Sequence, residues 1–342
     1  ITMADHDDRF AQLQAFAATA LGSAEFSCAP ASADASFRRY FRIVPARPAF
    51  GLASLIAMDA PPPQEDCRPF IEVAGLLAAA GVHAPRVLAS DVGRGFLLLT
   101  DLGDTTYLQA LAAGRTDALY LDAIDALVLW QQSSRPGVLP AYDEALLRRE
   151  LMLFPDWYVA RHLQYTLSVA ERATMDAAFA RILARNLAEP RVFVHRDYHS
   201  RNLMVATPNP GVLDFQDAVY GPISYDLVSL LRDAYVDWSE ERQLDYAIRY
   251  WQRARRAALP VAADFADFWR DFEWMGVQRQ LKVLGIFARL CHRDGKAGYV
   301  ADMPRVLKYL RTACGRYDEL APLAALLDTL HGAHATPAMT SG

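Results

Sequence analysis

The stretch that decides the fold is residues 191–226, which read RVFVHRDYHSRNLMVATPNPGVLDFQDAVYGPISYD. Within it, Asp197 is followed five residues later by Asn202, and Asp214 comes soon after a turn of proline, asparagine and glycine. Apolar runs alternate here with polar residues and turn signals, which is typical of short strands joined by loops. The predicted strands are residues 191–194, 203–206 and 212–215. The pattern therefore predicts that an acid, an amide and a second acid share one rim of the fold.

This order of side chains suits the transfer of a phosphoryl group. Such a reaction needs one carboxylate to orient and deprotonate the acceptor hydroxyl, and oxygen ligands that hold magnesium against the phosphates. Asp197 is the predicted base, and Asn202 and Asp214 are the predicted magnesium ligands, because this ion prefers oxygen donors. The alternative is a chance His-Arg-Asp tripeptide in a solvated loop. The spacing, the flanking strands and the Asp-Phe dipeptide together favour phosphoryl transfer.

Composition bounds the class of protein. The chain has 342 residues, of which 53% are hydrophobic, and this predicts a sizeable core and two lobes. The formal net charge of -5 gives no basic field that would favour nucleic acid or an anionic membrane. No apolar run approaches the roughly 20 residues that span a bilayer. The start of the chain is acidic and the four cysteines form no CxxC pair. These features predict a cytoplasmic protein without a zinc site or a disulfide framework.

Periodicity and turn residues divide the chain into two predicted lobes and a tail. The first lobe, residues 3–103, is expected to contain five short strands. Pattern locates four of these strands and two helices, at residues 36–44, 52–58, 85–89 and 95–100 and at residues 10–21 and 70–80. A hinge at about residues 100–104 leads to a mainly helical lobe, residues 104–331, whose first predicted helices are 119–132, 143–162 and 168–187. Residues 332–342 are expected to be a frayed tail.

A small mixed lobe, a short hinge and a helical lobe carrying HxDxxxxN and then Asp-Phe resemble the aminoglycoside-phosphotransferase branch of the protein-kinase-like fold. Several stretches resemble, more narrowly, the bacterial cell-wall-recycling kinases that phosphorylate the anomeric hydroxyl of N-acetylmuramate and N-acetylglucosamine. These stretches are DASFRRYFRI, MDAPP, residues 148–157, HRDYHSRNLM, VLDFQDAVYGPISYDL and QRQLKVLGIFARL. The resemblance implies an α+β fold with a small antiparallel sheet lobe that binds the nucleotide, and ATP and Mg2+ as cofactors.

The resemblance also implies roles for residues of the opening stretch. It makes Asp197 the catalytic base and assigns Asn202 and Asp214 to magnesium, in agreement with the spacing. His195 is implied to support the loop rather than to take part in the chemistry, because buried histidines are usually hydrogen-bonded supports. Asp226 is implied to brace the backbone of the same loop.

Four further residues are assigned to the site with an alternative interpretation or without a fixed contact. Met204 is either an apolar floor under adenine or a core methionine. Asp217 either approaches the metal or the substrate, or it is a solvated residue or one that caps its own loop. Adenine is expected to meet backbone groups of the hinge, near Asp101 and Leu102, because a linker strand offers unpaired N–H and C=O groups.

The small lobe departs from the protein-kinase pattern. Protein kinases cover the phosphates with a glycine-rich loop and bind them with a strand lysine, but residues 32–36 contain no glycine and the lobe contains no lysine. Glu72, in the second predicted helix, therefore lacks its usual cation. One of Arg38, Arg39 and Arg42 is expected to reach the phosphates or Glu72, because guanidinium suits bidentate phosphate binding. The alternative is that these arginines face water.

A later predicted helix, residues 274–293, carries two stripes. One stripe is apolar and predicts a core face. The other is mostly basic and consists of Arg279, Lys282, Ile286, Arg289 and Arg293. It is either a solvated face or a cationic wall that favours an anionic acceptor over a polycationic aminoglycoside. Arg279, Trp157 and Glu150 are the predicted substrate residues, with core packing as the alternative for the aromatic one.

The sequence therefore predicts a monomeric small-molecule kinase that forms a sugar 1-phosphate from N-acetylmuramate or N-acetylglucosamine. One alternative is a kinase for another amino sugar, an aminoglycoside or an amino alcohol. The other is a catalytically weak nucleotide-binding scaffold, which the missing lysine and the glycine-free loop suggest. The intact acid, amide and acid count against the scaffold.

Overall fold

The computed structural model describes residues 3–33, 37–114 and 116–335. The chain divides into two compact units: unit 1 is Ile1–Arg115 with Asn202–Asp217, and unit 2 is Thr116–Arg201 with Ala218–Gly342. The elements before residue 115 are α1 (Met3–Leu21), β1 (Phe26–Ala33), β2 (Arg39–Pro45), β3 (Leu55–Asp59), α2 (Arg68–Ala79), β4 (Val87–Asp91), β5 (Phe96–Thr100) and α3 (Tyr107–Ala112). The later elements are α4 (Asp117–Gln132), α5 (Glu144–Leu151), a π-helix (Phe154–His162), α6 (Val169–Ala188), β6 (Arg191–Val194), β7 (Leu203–Met204), β8 (Gly211–Val212), β9 (Val219–Pro222), α7 (Tyr225–Leu231), α8 (Glu240–Arg256), α9 (Phe265–His292), a 3-10 helix (Ala297–Asp302), α10 (Met303–Cys314), a second 3-10 helix (Asp318–Leu320) and α11 (Ala321–Ala335).

The first five strands form one antiparallel sheet in the order β1-β2-β3-β5-β4. The strand β5, with the sequence FLLLT, is buried along its whole length. Helix α1 contributes Leu13 and Phe16 to the same apolar core as Ile43 and Leu55. The predicted five-stranded antiparallel sheet is confirmed, and with the mainly helical remainder it gives the predicted α+β class.

The strand that the sequence did not locate is β1. Its sequence, FSCAPASA, has few large apolar residues and contains a proline, and it lies at the edge of the sheet, where proline is tolerated. Its pairing with β2 is irregular between Pro30 and Ser32. Two located strands have shifted bounds: the one predicted at residues 36–44 is β2, with residue 36 outside the described residues, and the one predicted at residues 52–58 is β3.

Residues 202–217 belong to unit 1 because backbone hydrogen bonds tie them to it. The backbone N of Val205 donates to the O of Thr105 at 2.8 Å, and the N of Val212 donates to the O of His83 at 2.8 Å. The paired strands β7 and β8 contain 2 residues each, so they are shorter than predicted. The predicted boundary between residues 103 and 104 assigns this segment to the second lobe, so the predicted lobes and the compact units differ here.

Unit 2 is built around α9, a helix of 28 residues. Its apolar stripe is buried as predicted, with Val277, Leu281 and Leu284 fully inaccessible. The predicted helix at residues 143–162 is instead α5 followed by the π-helix, in whose first turn Pro155 lies, because proline cannot continue an α-helical hydrogen-bond ladder. Helix α11 extends to Ala335, so residues 332–335 are helical rather than frayed, and residues 336–342 lie outside the described part. Within the described residues, no helix is both long and apolar enough to cross a membrane.

Candidate active site

The loop that follows β6 carries Asp197 and is held from below by Asp226. The carboxylate of Asp226 accepts hydrogen bonds from the backbone N of His195 at 2.6 Å and of Arg196 at 2.9 Å. Arg196 has a φ of 79°, a left-handed conformation that costs free energy in any residue with a Cβ. The two bonds to Asp226 offset this cost and fix the direction in which the loop leaves β6. Burial raises the pKa of Asp226 to about 7, although both backbone N–H groups act to lower it.

His195 lies inside the same loop. Its side chain is buried, its Nδ1 accepts a hydrogen bond from the backbone N of Asp197 at 3.2 Å, and its ring meets that of Tyr198 edge-on at 5.6 Å. These contacts hold the backbone of Asp197 and are those of a supporting residue. The implied supporting roles of His195 and Asp226 fit this geometry and stay proposals.

The side chain of Asp197 is surrounded by positive charge. Burial alone would raise its pKa, but nearby cations outweigh burial and lower the pKa to about 2. Lys282, Arg279 and Arg196 carry this charge at neutral pH, whereas His199, whose own pKa burial lowers, contributes only when it is protonated. Asp197 is therefore ionised at neutral pH and ready to accept a hydrogen bond from a hydroxyl group.

Beneath the loop lies a buried network of charges. Glu150 is 5% exposed and pairs with Lys282 at 2.9 Å and with Arg196 at 2.5 Å, and it accepts a hydrogen bond from the hydroxyl of Tyr142. The amine of Lys282 also donates to the hydroxyl of Tyr225 at 2.9 Å. Burial alone would raise the pKa of Glu150, but Lys282 and Arg196 outweigh it and lower the pKa. The charge of Glu150 is thus balanced by Lys282 and Arg196, which does not favour a contact with substrate. Its predicted role in binding substrate stays a prediction.

The basic stripe of α9 is not solvated along its whole length. Arg279 is 4% exposed and Lys282 is 6% exposed, so the alternative of a solvated face is wrong for these two residues. The Nε of Arg279 is buried without a hydrogen-bond partner among the described residues. Trp157 is half-buried in the π-helix. Their predicted roles in binding substrate stay predictions.

The two predicted magnesium ligands lie together in unit 1. The Nδ2 of Asn202 donates to the Oδ2 of Asp214 at 3.3 Å, and the Nε2 of Gln216 donates to the Oδ1 of Asp214 at 2.8 Å. Asp214 has a φ of 60°, a left-handed conformation that ends the strand just before it and turns its carboxylate toward Asn202. Over the described residues, no three His, Cys, Asp or Glu side chains form a metal cluster. One carboxylate and one amide oxygen fit magnesium, which keeps several waters and substrate phosphates as its other ligands.

The structure separates the three arginines of the second strand region. Arg39 pairs with the fully buried Asp59, which also binds Arg9. Arg42 pairs with Asp101 at 2.7 Å. Both side chains therefore form ion pairs within the protein, and the predicted roles of Arg39 and Arg42 at the phosphates stay predictions.

Arg38 is placed differently. Its side chain is 11% exposed and lies between two acids, with its NH2 atom 3.8 Å from the Oδ1 of Asp214 and its Nε 3.9 Å from the Oε2 of Glu65. Glu65 also accepts a hydrogen bond from the backbone N of Phe37 at 3.2 Å. Glu72, the acid that the sequence singled out, is exposed. Sequence reasoning missed Glu65 because the acid precedes α2, outside the position where a helix acid was sought.

Two residues predicted to lie near adenine, Met204 and the hinge residue Leu102, also share unit 1. Leu102 is 8% exposed and Met204 is 5% exposed, and a Cβ added to Gly211 would meet the Cδ1 of Leu102 at 2.8 Å and the Cβ of Met204 at 3.3 Å. The two apolar side chains therefore border the same glycine. Asp217, whose role the sequence left open, is exposed. These nucleotide contacts stay proposals.

Solved structures share this fold. The gentamicin complex of APH(2")-IIa has a TM-score of 0.59 and 14% identity, and the match covers 87% of this chain and 96% of that chain. Choline kinase from Cryptosporidium parvum Iowa II has a TM-score of 0.62 and 10% identity, covering 93% of this chain and 99% of that chain. At such identities the likeness shows the fold alone.

Sequence comparison places the chain more narrowly. The model of the phosphotransferase enzyme family matches residues 27–263, and the chain belongs to this family. An N-acetylmuramate/N-acetylglucosamine kinase from Pseudomonas aeruginosa is 56% identical over 301 residues, 88% of this chain and 88% of the relative. A relative of the same name from Neisseria meningitidis serogroup B is 51% identical over 312 residues, 90% of this chain and 92% of the relative. The predicted class of enzyme, a phosphotransferase with an alcohol acceptor, is confirmed, and family membership implies ATP as donor.

Proposed function

We propose that this protein is an ATP- and Mg2+-dependent kinase that phosphorylates the anomeric hydroxyl of N-acetylmuramate, N-acetylglucosamine or both in peptidoglycan recycling. The observation that carries the proposal is the identity of 51% to 56% with relatives named as kinases for these two sugars. That identity extends over 88% and 90% of the chain, so it includes both compact units. The acid, amide and acid of the opening stretch supply the chemistry that such a reaction needs.

Asp197 is the proposed base. Its carboxylate accepts a hydrogen bond from the anomeric hydroxyl and orients that oxygen toward the γ-phosphorus. A bond forms between the sugar oxygen and the γ-phosphorus, the bond from this phosphorus to the bridging oxygen breaks, and ADP leaves. The hydroxyl proton passes to Asp197. Since a pKa of about 2 makes Asp197 a weak base, its main contribution is orientation, which suits a loose transition state that needs little base strength.

Asn202 and Asp214 are the proposed ligands of Mg2+. This ion neutralises charge on the triphosphate when it is bound. Arg38 is the arginine that we assign to the phosphates, because it lies 3.8 Å from Asp214, a proposed ligand of Mg2+, whereas Arg39 pairs with Asp59 and Arg42 with Asp101. The hinge residues Asp101 and Leu102, with Met204, remain the proposed surroundings of adenine.

The charge around Asp197 supports an uncharged or anionic acceptor. Lys282, Arg279 and Arg196 all act on its carboxylate from within unit 2. A polycationic aminoglycoside would be repelled by these charges, whereas a sugar acid would be attracted. The expected cytoplasmic location, which the four unpaired cysteines fit, and the expected monomeric state stay predictions.

The proposal is tested by identifying the product. The protein is incubated with Mg-ATP and, separately, with N-acetylmuramate, N-acetylglucosamine, choline, homoserine and kanamycin, and each product is assigned by phosphorus NMR. We expect a phosphate on C1 of the two N-acetyl sugars only. Phosphate at another carbon would refute the anomeric assignment, and turnover of choline or kanamycin alone would favour a kinase for amino alcohols or aminoglycosides. Asp197→Asn should lower turnover about 100-fold or more while nucleotide binding, measured by calorimetry, stays.

A further inference from the structure

A cavity opens in unit 2 beside the end of the catalytic loop. Its volume is about 340 Å³, and its lining residues are Arg201, Lys296, Gly298, Tyr299 and Asp302. Arg201 is the last residue of that loop, and the others lie in or next to the 3-10 helix at Ala297–Asp302. The cavity therefore brings the loop of Asp197 together with a segment that sequence reasoning did not assign to the site.

The cavity lining includes two cations, Arg201 and Lys296. Arg201 and Lys296 have no carboxylate within ion-pair distance in the part of the chain that the structure describes. Asp302, the acid that also lines the cavity, pairs with Arg305 at 3.2 Å, so its charge is already compensated. The lining thus keeps an excess of positive charge, which suits an anionic group of a ligand.

The guanidinium of Arg201 is held in place by aromatic rings. It lies 3.6 Å from the centre of the Tyr235 ring and 5.7 Å from that of Tyr299. Stacking on the face of a ring leaves the in-plane N–H donors of guanidinium available for a carboxylate. Because stacking fixes the group before a ligand arrives, less conformational entropy is lost on binding.

A continuous set of contacts joins this cavity to the predicted base. The backbone N of His199 donates to the O of Asp197 at 3.0 Å, and the His199 ring meets the Tyr235 ring at 5.5 Å. Tyr235 in turn carries Arg201. Two side chains, His199 and Tyr235, therefore link the cavity to the loop that carries Asp197. Arg279, the substrate cation named from the sequence, is buried, whereas Arg201 is exposed and accessible to a ligand.

We propose that this cavity is the subsite for the carboxylate of an anionic acceptor sugar, with Arg201 and Lys296 as its ligands. N-acetylmuramate carries such a carboxylate on a lactyl ether, and N-acetylglucosamine lacks it. The inference rests on the proposed function, because it names the residues that separate the two acceptors. Tyr299 offers an apolar wall to the lactyl group.

The test compares acceptors that differ only in this charge. Initial rates give kcat/KM for N-acetylmuramate, its methyl ester and N-acetylglucosamine with wild type, Arg201→Gln and Lys296→Gln. We expect each substitution to lower the ratio of kcat/KM for N-acetylmuramate to that for N-acetylglucosamine by about 10- to 100-fold, through KM, because a charged hydrogen bond is lost. The ratio for the uncharged methyl ester should change little. Arg249→Gln, at an exposed arginine that pairs with Asp245 and does not line the cavity, is the matched control.

The outcomes separate this inference from the proposed function. If wild type phosphorylates neither sugar, the proposed function fails and the inference fails with it. If wild type phosphorylates both sugars and the two variants lose both activities in equal proportion, the proposed function stands and the subsite is wrong. A rise in the KM for ATP without a change in the sugar ratio would likewise overturn the subsite, since it would assign the two cations to the nucleotide. Melting temperatures of both variants show whether folding is intact.

Discussion

Replacing Lys282 with methionine removes a buried charge from the network beneath the catalytic loop. The Lys282 amine lies 2.9 Å from the Glu150 carboxylate and 2.9 Å from the Tyr225 hydroxyl, and its side chain is 7% exposed. Removing one member of a buried ion pair costs about 3–5 kcal/mol because the other charge stays buried. Arg196 and Tyr142 remain bound to Glu150. We therefore expect a loss near the lower limit, about 3 kcal/mol of unfolding free energy.

The assay for this change is urea-induced unfolding, combined with a double-mutant cycle. Glu150→Gln and Lys282→Met are made singly and together, and the double variant should be more stable than the sum of the single effects predicts, by about 1–3 kcal/mol. Lys308→Met is the control, because Lys308 pairs with Asp237 at the surface, with side chains 60% and 48% exposed. Such a pair contributes about 0–1 kcal/mol. Strictly additive effects of the two buried substitutions would refute the network.

Lys282→Met should also change the chemistry. Lys282 is the largest of the charges that lower the pKa of Asp197, so its removal should raise that pKa. The acid limb of the profile of kcat/KM against pH should then move to higher pH in the variant. An unchanged limb in a folded variant would show that Lys282 does not act on Asp197.

Three further expectations follow from single side chains. Arg38→Ala should raise the calorimetric Kd for nucleotide about 10- to 100-fold at an unchanged melting temperature. Arg39→Ala should instead lower the melting temperature, because the buried Asp59 loses a partner. The reverse pattern would contradict the assignment of Arg38 to the phosphates. Burial raises the pKa of Glu189 from its ordinary 4.5 to about 8. Between these pH values the Glu189 carboxyl is protonated in the folded state and ionised in the unfolded state, so the free energy of unfolding falls as pH rises. At 1.36 kcal/mol per unit this fall is at most about 5 kcal/mol, and urea midpoints at pH 5 and pH 8 should show that Glu189→Gln flattens it. A Cβ added to Gly285 would lie 2.4 Å from the backbone carbonyl carbon of Leu153, so Gly285→Ala should destabilise the protein by about 1–3 kcal/mol in thermal unfolding. Gly276→Ala is the control and should cost less, because its added Cβ would meet only the end of the Arg232 side chain.

Local signals in the sequence were enough to predict the class of enzyme. Asp197, Asn202 and Asp214 lie within one short stretch, so their spacing and the flanking apolar runs expose them without knowledge of the rest of the fold. The interior strand at Phe96–Thr100 was found for the same reason, since its run of leucines is continuous. The edge strand at Phe26–Ala33 was not located, because its stability comes from pairing with a neighbour rather than from its own composition.

The remaining features of the site could not be predicted from the sequence, because they depend on contacts between distant parts of the chain. The sequence does not show whether the basic stripe of α9 is exposed to water or forms ion pairs with acids. Lys282 forms a buried ion pair with Glu150, which lies on a different helix. The choice among Arg38, Arg39 and Arg42 also needed structure, because Asp59 and Asp101 lie on other strands or in the hinge. Periodicity reports which face of an element is apolar, but it does not report which charges meet.

The placement of lysine has a consequence for chemical labelling. Unit 1 contains no lysine, and the first lysine of the chain, Lys282, is buried as an ammonium ion whose pKa its pairing with Glu150 raises against the effect of burial. Acyl phosphates of ATP label a kinase by transferring their acyl group to an unprotonated amine near the phosphates. Such reagents should therefore leave unit 1, the proposed nucleotide-binding part, unmodified, whereas guanidine-directed reagents such as glyoxals should modify its arginines.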